Sequence, residues 1–347
     1  MIRALLLSSL LLVAPSCHRR AQTTAAPVCC DTASASRSPM PSSPEALMAK
    51  IEREMGKNRA KMAQLNAAKS QETLLKCIES APCAPIEAAQ LILRMKSGAV
   101  EIHGGSPRLC ESTLNYLDAD VPPKVTYCFY DGIQHVEVLA LDDHGLWEFD
   151  LGAQTPIAVH IDAQGGIRDL NFRHVLLSQL NVEAQGGTSM LGLMGGQPFL
   201  KSIDCGQAYG SVGINAEGDY PLMQSLSVST GHGDISGIFT GYYARLDTIT
   251  LSTTGGNMAI DLTGAWKRTC RVRLTCTDGD CLIWIPRGVG TSVKVFKAAE
   301  GTVDMGEMEK KWSPNAYINE AYGKTKATLD IEVRSTDGNV KVVQFTG

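Results

Sequence analysis

The side chains best placed to do chemistry recur at 23-residue intervals. Asp234, Asn257 and Asp280 each follow a glycine, and Thr188, Ser211 and Asn339 hold the same place in other units. Units stacked at strand spacing, about 4.8 Å, bring these groups into one line. Asp234 and Asp280 then stand roughly 9.6 Å apart, near the upper limit for the two carboxylates of an inverting glycosidase. A line of oxygen ligands also suits calcium. The competing role is structural, since Asp and Asn are common turn residues whose short side chains bond their own backbone. That role is adopted, and no catalytic residue, metal ligand or cofactor is assigned. Trp284 lies between Ile283 and Ile285 on the opposite face of its strand. It is a contact for a glycan or protein if exposed, or part of a second packed layer. The chain has no Gly-x-Ser-x-Gly, no His-Glu-x-x-His and no phosphate loop ending in Gly-Lys-Ser/Thr, which lowers the expectation of an enzyme.

The 11 cysteines divide by role. Cys17 ends Ala14-Pro15-Ser16-Cys17, which resembles a bacterial lipobox, where the thiol takes a diacylglycerol. The remainder is even, which suits disulfides in an oxidising compartment. Cys77 with Cys83, Cys110 with Cys128, and Cys276 with Cys281 across the Gly279 turn are the candidate pairs. For the last of these, two packed thiols are the alternative. No cysteine pair has the C-x2-C spacing of a zinc ribbon, and no two histidines stand at ligand spacing.

Export is read from the N-terminus. Arg3 precedes a mainly apolar run from Ala4 to Ala14, too short for a membrane span of about 20 residues. Residues 1–17 are thus a signal peptide with a lipobox-like end, or the signal is cut between Ala21 and Ala26. The expected address is the bacterial cell envelope, with attachment to the membrane through lipid on Cys17, and otherwise the periplasm or the medium. His18 replaces the aspartate that commonly retains lipoproteins at the inner membrane, which favours the outer one. A net charge of -4 and a pI near 6.0 exclude a nucleic-acid-binding surface as the main business of the chain.

The elements that must position these residues follow from composition and period. Residues 18–43 are rich in Ala, Ser, Thr, Pro and Arg, too poor in large apolar groups to order, and read as a tether. Residues 44–95 read as helical. Ser42-Ser43-Pro44-Glu45 is a helix start, and Leu47, Ile51, Met55, Met62 and Leu65 form an apolar stripe that packs on its own domain or a partner helix. This helix is expected to reach about Glu79, and a second to cover Pro85 to Met95. From residue 96 the period becomes two. Gly187, Gly210, Gly233, Gly256 and Gly279 are evenly spaced, flanked in phase by pairs such as Leu226 and Val228 or Ile249 and Leu251. Gly166, Gly301 and Gly338 extend the series loosely. Such a unit cannot bury its apolar face alone, so units must stack. The expected fold is all-β over 96–347, a β-solenoid or elongated folded sheet of about 23-residue glycine-punctuated repeats.

Several stretches carry a family resemblance. Leu226-Ser227-Val228-Ser229-Thr230-Gly231-His232-Gly233-Asp234-Ile235, then Asp261-Leu262-Thr263-Gly264-Ala265-Trp266-Lys267-Arg268, then Ile285-Pro286-Arg287-Gly288-Val289-Gly290 resemble the bacterial toast-rack family, β-repeat proteins of the envelope related to putative adhesins. The resemblance implies a fold and an envelope location, and carries over no catalytic residue. Three functions fit these features. The first is a non-catalytic lipoprotein, a scaffold or adhesin-like module holding a protein or envelope polysaccharide. The second is an envelope-stress sensor, and the third a carbohydrate-active solenoid enzyme.

Overall fold

The computed structural model describes Met40, residues 42–68, 75–81, 88–116, 122–130, 132–142, 145–297, 299–311 and 313–345, with the backbone path alone for 61–68 and 75–81. Cys17, the signal peptide, the tether before Met40, Cys83 and the side chain of Cys77 lie outside these residues, as do the side chains of Met62 and Leu65.

Each 23-residue unit is one coil of a parallel β-solenoid with three sides. In the coil that starts at Ser225, a long strand Ser225–His232 is followed by a glycine turn, a short strand Ile235–Ile238, a second turn and a two-residue strand Tyr242–Tyr243. Alternation decides what each strand buries: Leu226, Val228 and Thr230 point inward, Ser225 and Ser227 outward. Neighbouring coils pair in register. Leu226 lies between Ile203 and Ile249, and Ile235 between Val212 and Met258. The inward residues merge into one core running the length of the stack. The strands before the glycine turns belong to a first sheet of 13 strands, those after them to a second of 12, and Asp219–Tyr220, Tyr242–Tyr243 and Ala265–Trp266 make a third of 3.

The glycines hold the coils at strand spacing. A Cβ built on Gly210 would collide with the carbonyl oxygen of Gly187, and the same collision with the coil before recurs at Gly233, Gly256 and Gly279. Gly210 also has φ 103°, a left-handed conformation that favours glycine. The column continues where the sequence spacing is lost: Gly338 stacks on Gly279, and Gly301 on Gly338.

That order reflects threading at both ends of the stack. The last coil, Thr328–Asp337 with Val340–Phe345, does not follow Gly290–Lys297 outward. It is inserted between that strand and Cys270–Asp278. Likewise Ala88–Met95 and Ala99–Ser106 sit between the coils of Ile157–Asn171 and Ile133–Gly152. Antiparallel strands finish the stack, Lys124–Tyr130 and Cys110–Tyr116 at one end and Ala316–Ile318 with Glu309–Lys310 at the other.

Helix α1, Pro44–Ala68, is capped by Ser43, whose Oγ accepts the Ala46 N–H at 3.1 Å. Leu47, Ile51 and Met55 are buried as the stripe required, with Met48. Leu47 packs on Ala259 and Leu282, Met55 on Ala99 and Ile167, so α1 crosses many coils along the outside of the second sheet. The positions beneath it are small: Ala259, Ser236 and Gly213 occupy one outward column. Ser236 donates to the Pro44 carbonyl at 2.8 Å. Lys50 reaches Asp234 at 2.6 Å, and Arg59 reaches Asp169 at 2.6 Å and Glu101 at 3.0 Å.

Two helical expectations fail. The helix ends at Ala68 instead of about Glu79, and Leu75–Ala81 is a strand. The segment expected as a second helix is the strand Ala88–Met95, with Ala89, Leu91, Leu93 and Met95 buried in alternation. Its helix-favouring composition yields to two flanking strands, which supply ladder bonds on both sides. The β body therefore begins before residue 96.

Candidate functional site

The turn line forms as its spacing required, but its side chains are committed. The Asp234 N–H donates to Ser211 Oγ at 3.2 Å, the Asn257 N–H to Asp234 Oδ1 at 2.8 Å, the Asp280 N–H to Asn257 Oδ1 at 3.1 Å, and the Asn339 N–H to Asp280 Oδ1 at 2.7 Å. Each oxygen thus caps the backbone of the next coil, where turn chemistry alone would have bonded its own. Asp234, Asn257 and Asp280 are 7%, 8% and 9% exposed, and the second oxygen of Asp234 receives Lys50. The line is a clamp between coils and leaves no carboxylate pair facing a groove. Among the described residues, no three His, Cys, Asp or Glu side chains gather to hold a metal.

A second line, inside the same turn, escaped the sequence reading. Gln207, Thr230, Thr253, Cys276 and Ser335 share one inward position on successive coils. Thr230 donates to the Gly210 carbonyl at 2.7 Å, Thr253 to that of Gly233 at 2.8 Å, and Cys276 Sγ to those of Gly256 at 3.4 Å and Gly279 at 3.2 Å. Phase was the available signal: threonine recurs where apolar residues are due. Arg168 is the other missed residue. It is fully buried, with Nε on Ser189 Oγ at 2.8 Å and its Nη groups on the carbonyls of Gly165 and Gly186 and on Gln207 Oε1. Burial lowers its pKa to about 10.

The disulfide expectations do not hold among the described residues. Cys110, Cys128, Cys276 and Cys281 are all free thiols. Cys276 turns to glycine carbonyls, while Cys281 occupies the apolar column of Met258 and Val340. Cys110 and Cys128 belong to different sheets, the first buried in the core and the second exposed on an outer strand. Burial pushes Cys110, Cys205, Cys270 and Cys276 up to about 12, and Cys281 well above the usual thiol range. Trp284 belongs to the second layer: it packs with Leu47 beside α1, its ring stacked on Phe345 at 5.9 Å.

What remains open is the outer face of the long strands. The eight strands from Ile157–Ala163 to Gly290–Lys297 present three outward columns there, which Ala88–Met95 and Ile133–Ala140 continue. The middle column reads His160, Asn181, Asp204, Ser227, Thr250, Arg273, Glu332 and Lys294. Beside it run Asp162, Glu183, Gly206, Ser229, Ser252, Thr275, Arg334 and Phe296, and on the other side Ser202, Ser225, Thr248, Arg271, Asp330 and Ser292 continue the pattern. The two central coils carry only hydroxyls. One side carries Asp162, Glu183 and Asp204, with Arg94 of the next strand beside Asp162; the other, the basic end, carries Arg271, Arg273, Lys294 and Arg334 together with Asp330 and Glu332. At the basic end a groove of about 460 Å³ is lined by Arg271, Arg273, Lys294, Lys311 and Tyr322, with the Lys311 ammonium 4.2 Å from the centre of the Tyr322 ring.

No family model matches the chain, and no curated protein does. Among solved structures it is similar to a putative cell adhesion protein from Clostridium sporogenes, at 15% identity over 79% of this chain and 100% of that one, with a TM-score of 0.32. A putative adhesin from Bacteroides fragilis matches at 9% identity over 78% and 98%, with a TM-score of 0.35. A putative lipid binding protein from Parabacteroides distasonis matches at 9% over 78% and 97%, with a TM-score of 0.37. The first two are of the class that the sequence resemblance named. At these TM-scores the likeness is loose and bears on neither partner nor activity.

Proposed function

We propose that the chain is a non-catalytic module of the bacterial cell envelope, a scaffold or adhesin-like body that holds a protein or envelope polymer on the outer face of its long strands. One observation carries the reading: the carboxylates most suited to chemistry are spent on the backbone of the next coil, while a broad polar face is left open. Attachment to the membrane through a lipid on Cys17 belongs to the same proposal. The test is to immobilise the full chain and offer solubilised envelope proteins and purified envelope polysaccharides. Retention of a partner, reduced by Arg273→Glu on the face and unchanged by Glu52→Lys on the exposed side of α1, supports the reading. Release of new reducing ends from an offered polysaccharide, abolished by Asp234→Asn with Asp280→Asn, would replace it with the enzyme.

A further inference from the structure

We propose that this face pairs with the same face of a second copy, the two solenoids antiparallel. The proposal rests on the reading of the face as a binding surface and names its occupant. Three observations lead to it. Asp204, Arg271, Arg273 and Lys294 are exposed and have no ion-pair partner among the described residues. Over the eight strands from Ile157–Ala163 to Gly290–Lys297 the charges are arranged about a centre: the hydroxyl coils at Ser225–His232 and Thr248–Gly255 lie midway, with Asp162, Glu183 and Asp204 on one side and Arg271, Arg273, Lys294 and Arg334, interspersed with Asp330 and Glu332, on the other. Finally, the face is large enough. Eight coils at about 4.8 Å and strands of about eight residues at about 3.3 Å give on the order of 900 Å², near the roughly 800 Å² per partner of a stable protein interface.

Symmetry then selects the arrangement. Two copies joined face to face are related by a two-fold axis lying in the plane between them. An axis along the solenoid would set acidic coils against acidic coils. An axis along the strands reverses the coil order and keeps the position along each strand. The coil of Asp204 then faces that of Arg273, both in the middle column. Glu183 faces Arg334, whose coil also carries Asp330 and Glu332, His160 faces Lys294, Asp162 faces Phe296, and Ser227 faces Thr250. Hydroxyls meet at the centre, where short side chains let the sheets approach and bridging water completes the hydrogen bonds. Because the outer contacts are ionic, the association is sensitive to salt.

The mass of the full chain, measured by light scattering after size exclusion at low and at high salt, tests this. A dimer at low salt that dissociates at least ten-fold more readily at high salt is expected. Asp204→Lys and Arg273→Glu should each weaken it about ten-fold or more. The chain carrying both should regain most of the affinity, because the exchanged charges still meet across the two-fold. All three variants are checked for unchanged circular dichroism. A monomer at low salt would overturn self-association, as would a dimer indifferent to both single changes or single losses that the double variant fails to restore. A monomer that still retains an envelope polymer on the column would leave the module reading standing.

Discussion

The clamp between coils makes distinct demands on its members. Asn257 accepts from one N–H that is otherwise buried without a partner. Asn257→Ala should cost about 1–3 kcal/mol, the penalty of leaving that donor unsatisfied. Asp234→Asn keeps an oxygen for the Asn257 N–H and loses only the link to the part-exposed Lys50, so less than about 1 kcal/mol is expected. Urea denaturation of the two variants checks the difference. Reactivity of the thiols is set by burial in the same way. A maleimide applied to the native chain, followed by peptide mapping, should label Cys128 and spare Cys110, Cys205, Cys270, Cys276 and Cys281. At this scale the sequence could place Asp234, Asn257 and Asp280 in a line because their spacing is uniform. It could not say that they cap the next coil, since that depends on how closely the coils approach. The cysteine pairs misled for a related reason: proximity in the chain says nothing about which face a side chain takes.

Elements depend on close approach at two kinds of position. Gly210→Ala would drive a Cβ into the Gly187 carbonyl in a left-handed conformation. It should destabilise by more than about 3 kcal/mol, whereas Gly288→Ala, with open space around it, should stay within about 1 kcal/mol. Thermal melts of the pair separate a packing role from mere turn flexibility. Gly213 lies beneath α1, where the sulfurs of Met190 and Met48 would have to shift to admit a Cβ and a larger side chain would displace them. Gly213→Leu should lift the helix and open its bonds to the protease, read as faster trypsin cleavage after Arg53 with the β body intact. The repeat and the buried face of α1 were legible because period and phase are local. Ala88–Met95 was not, because its alternation spans too few residues to outweigh helix-favouring composition, and its two partner strands lie 45 and 69 residues further along the chain at Ile133 and Ile157.

The whole stack responds to pH through its buried thiols. Cys110, Cys205, Cys270 and Cys276 keep their protons to about pH 12 when folded, against 9.0 for the ordinary group. Their contribution to stability is complete below pH 9 and is lost as the pH climbs toward 12, because the unfolded chain releases protons that the folded chain retains. Arg168, lowered to about 10, acts in the opposite sense above that pH, but as one group against several. The urea midpoint should therefore fall between pH 8 and pH 10.5. The three-sided solenoid itself could be anticipated only as stacked units. The insertion of the last coil has no local signature, since the 59 residues from Gly279 to Gly338 hide the recurrence of the column.

That insertion governs how the molecule bears tension. A pull on the C-terminus does not reach a free edge, because Thr328–Asp337 is laced along both flanks, to Cys270–Asp278 and to Gly290–Lys297. Load along the strand is shared in shear by two ladders at once, and peeling one bond at a time requires the outer strand to be dislodged first. A body held at one end and drawn at the other would thus yield by losing its terminal cap before the column of glycines parts.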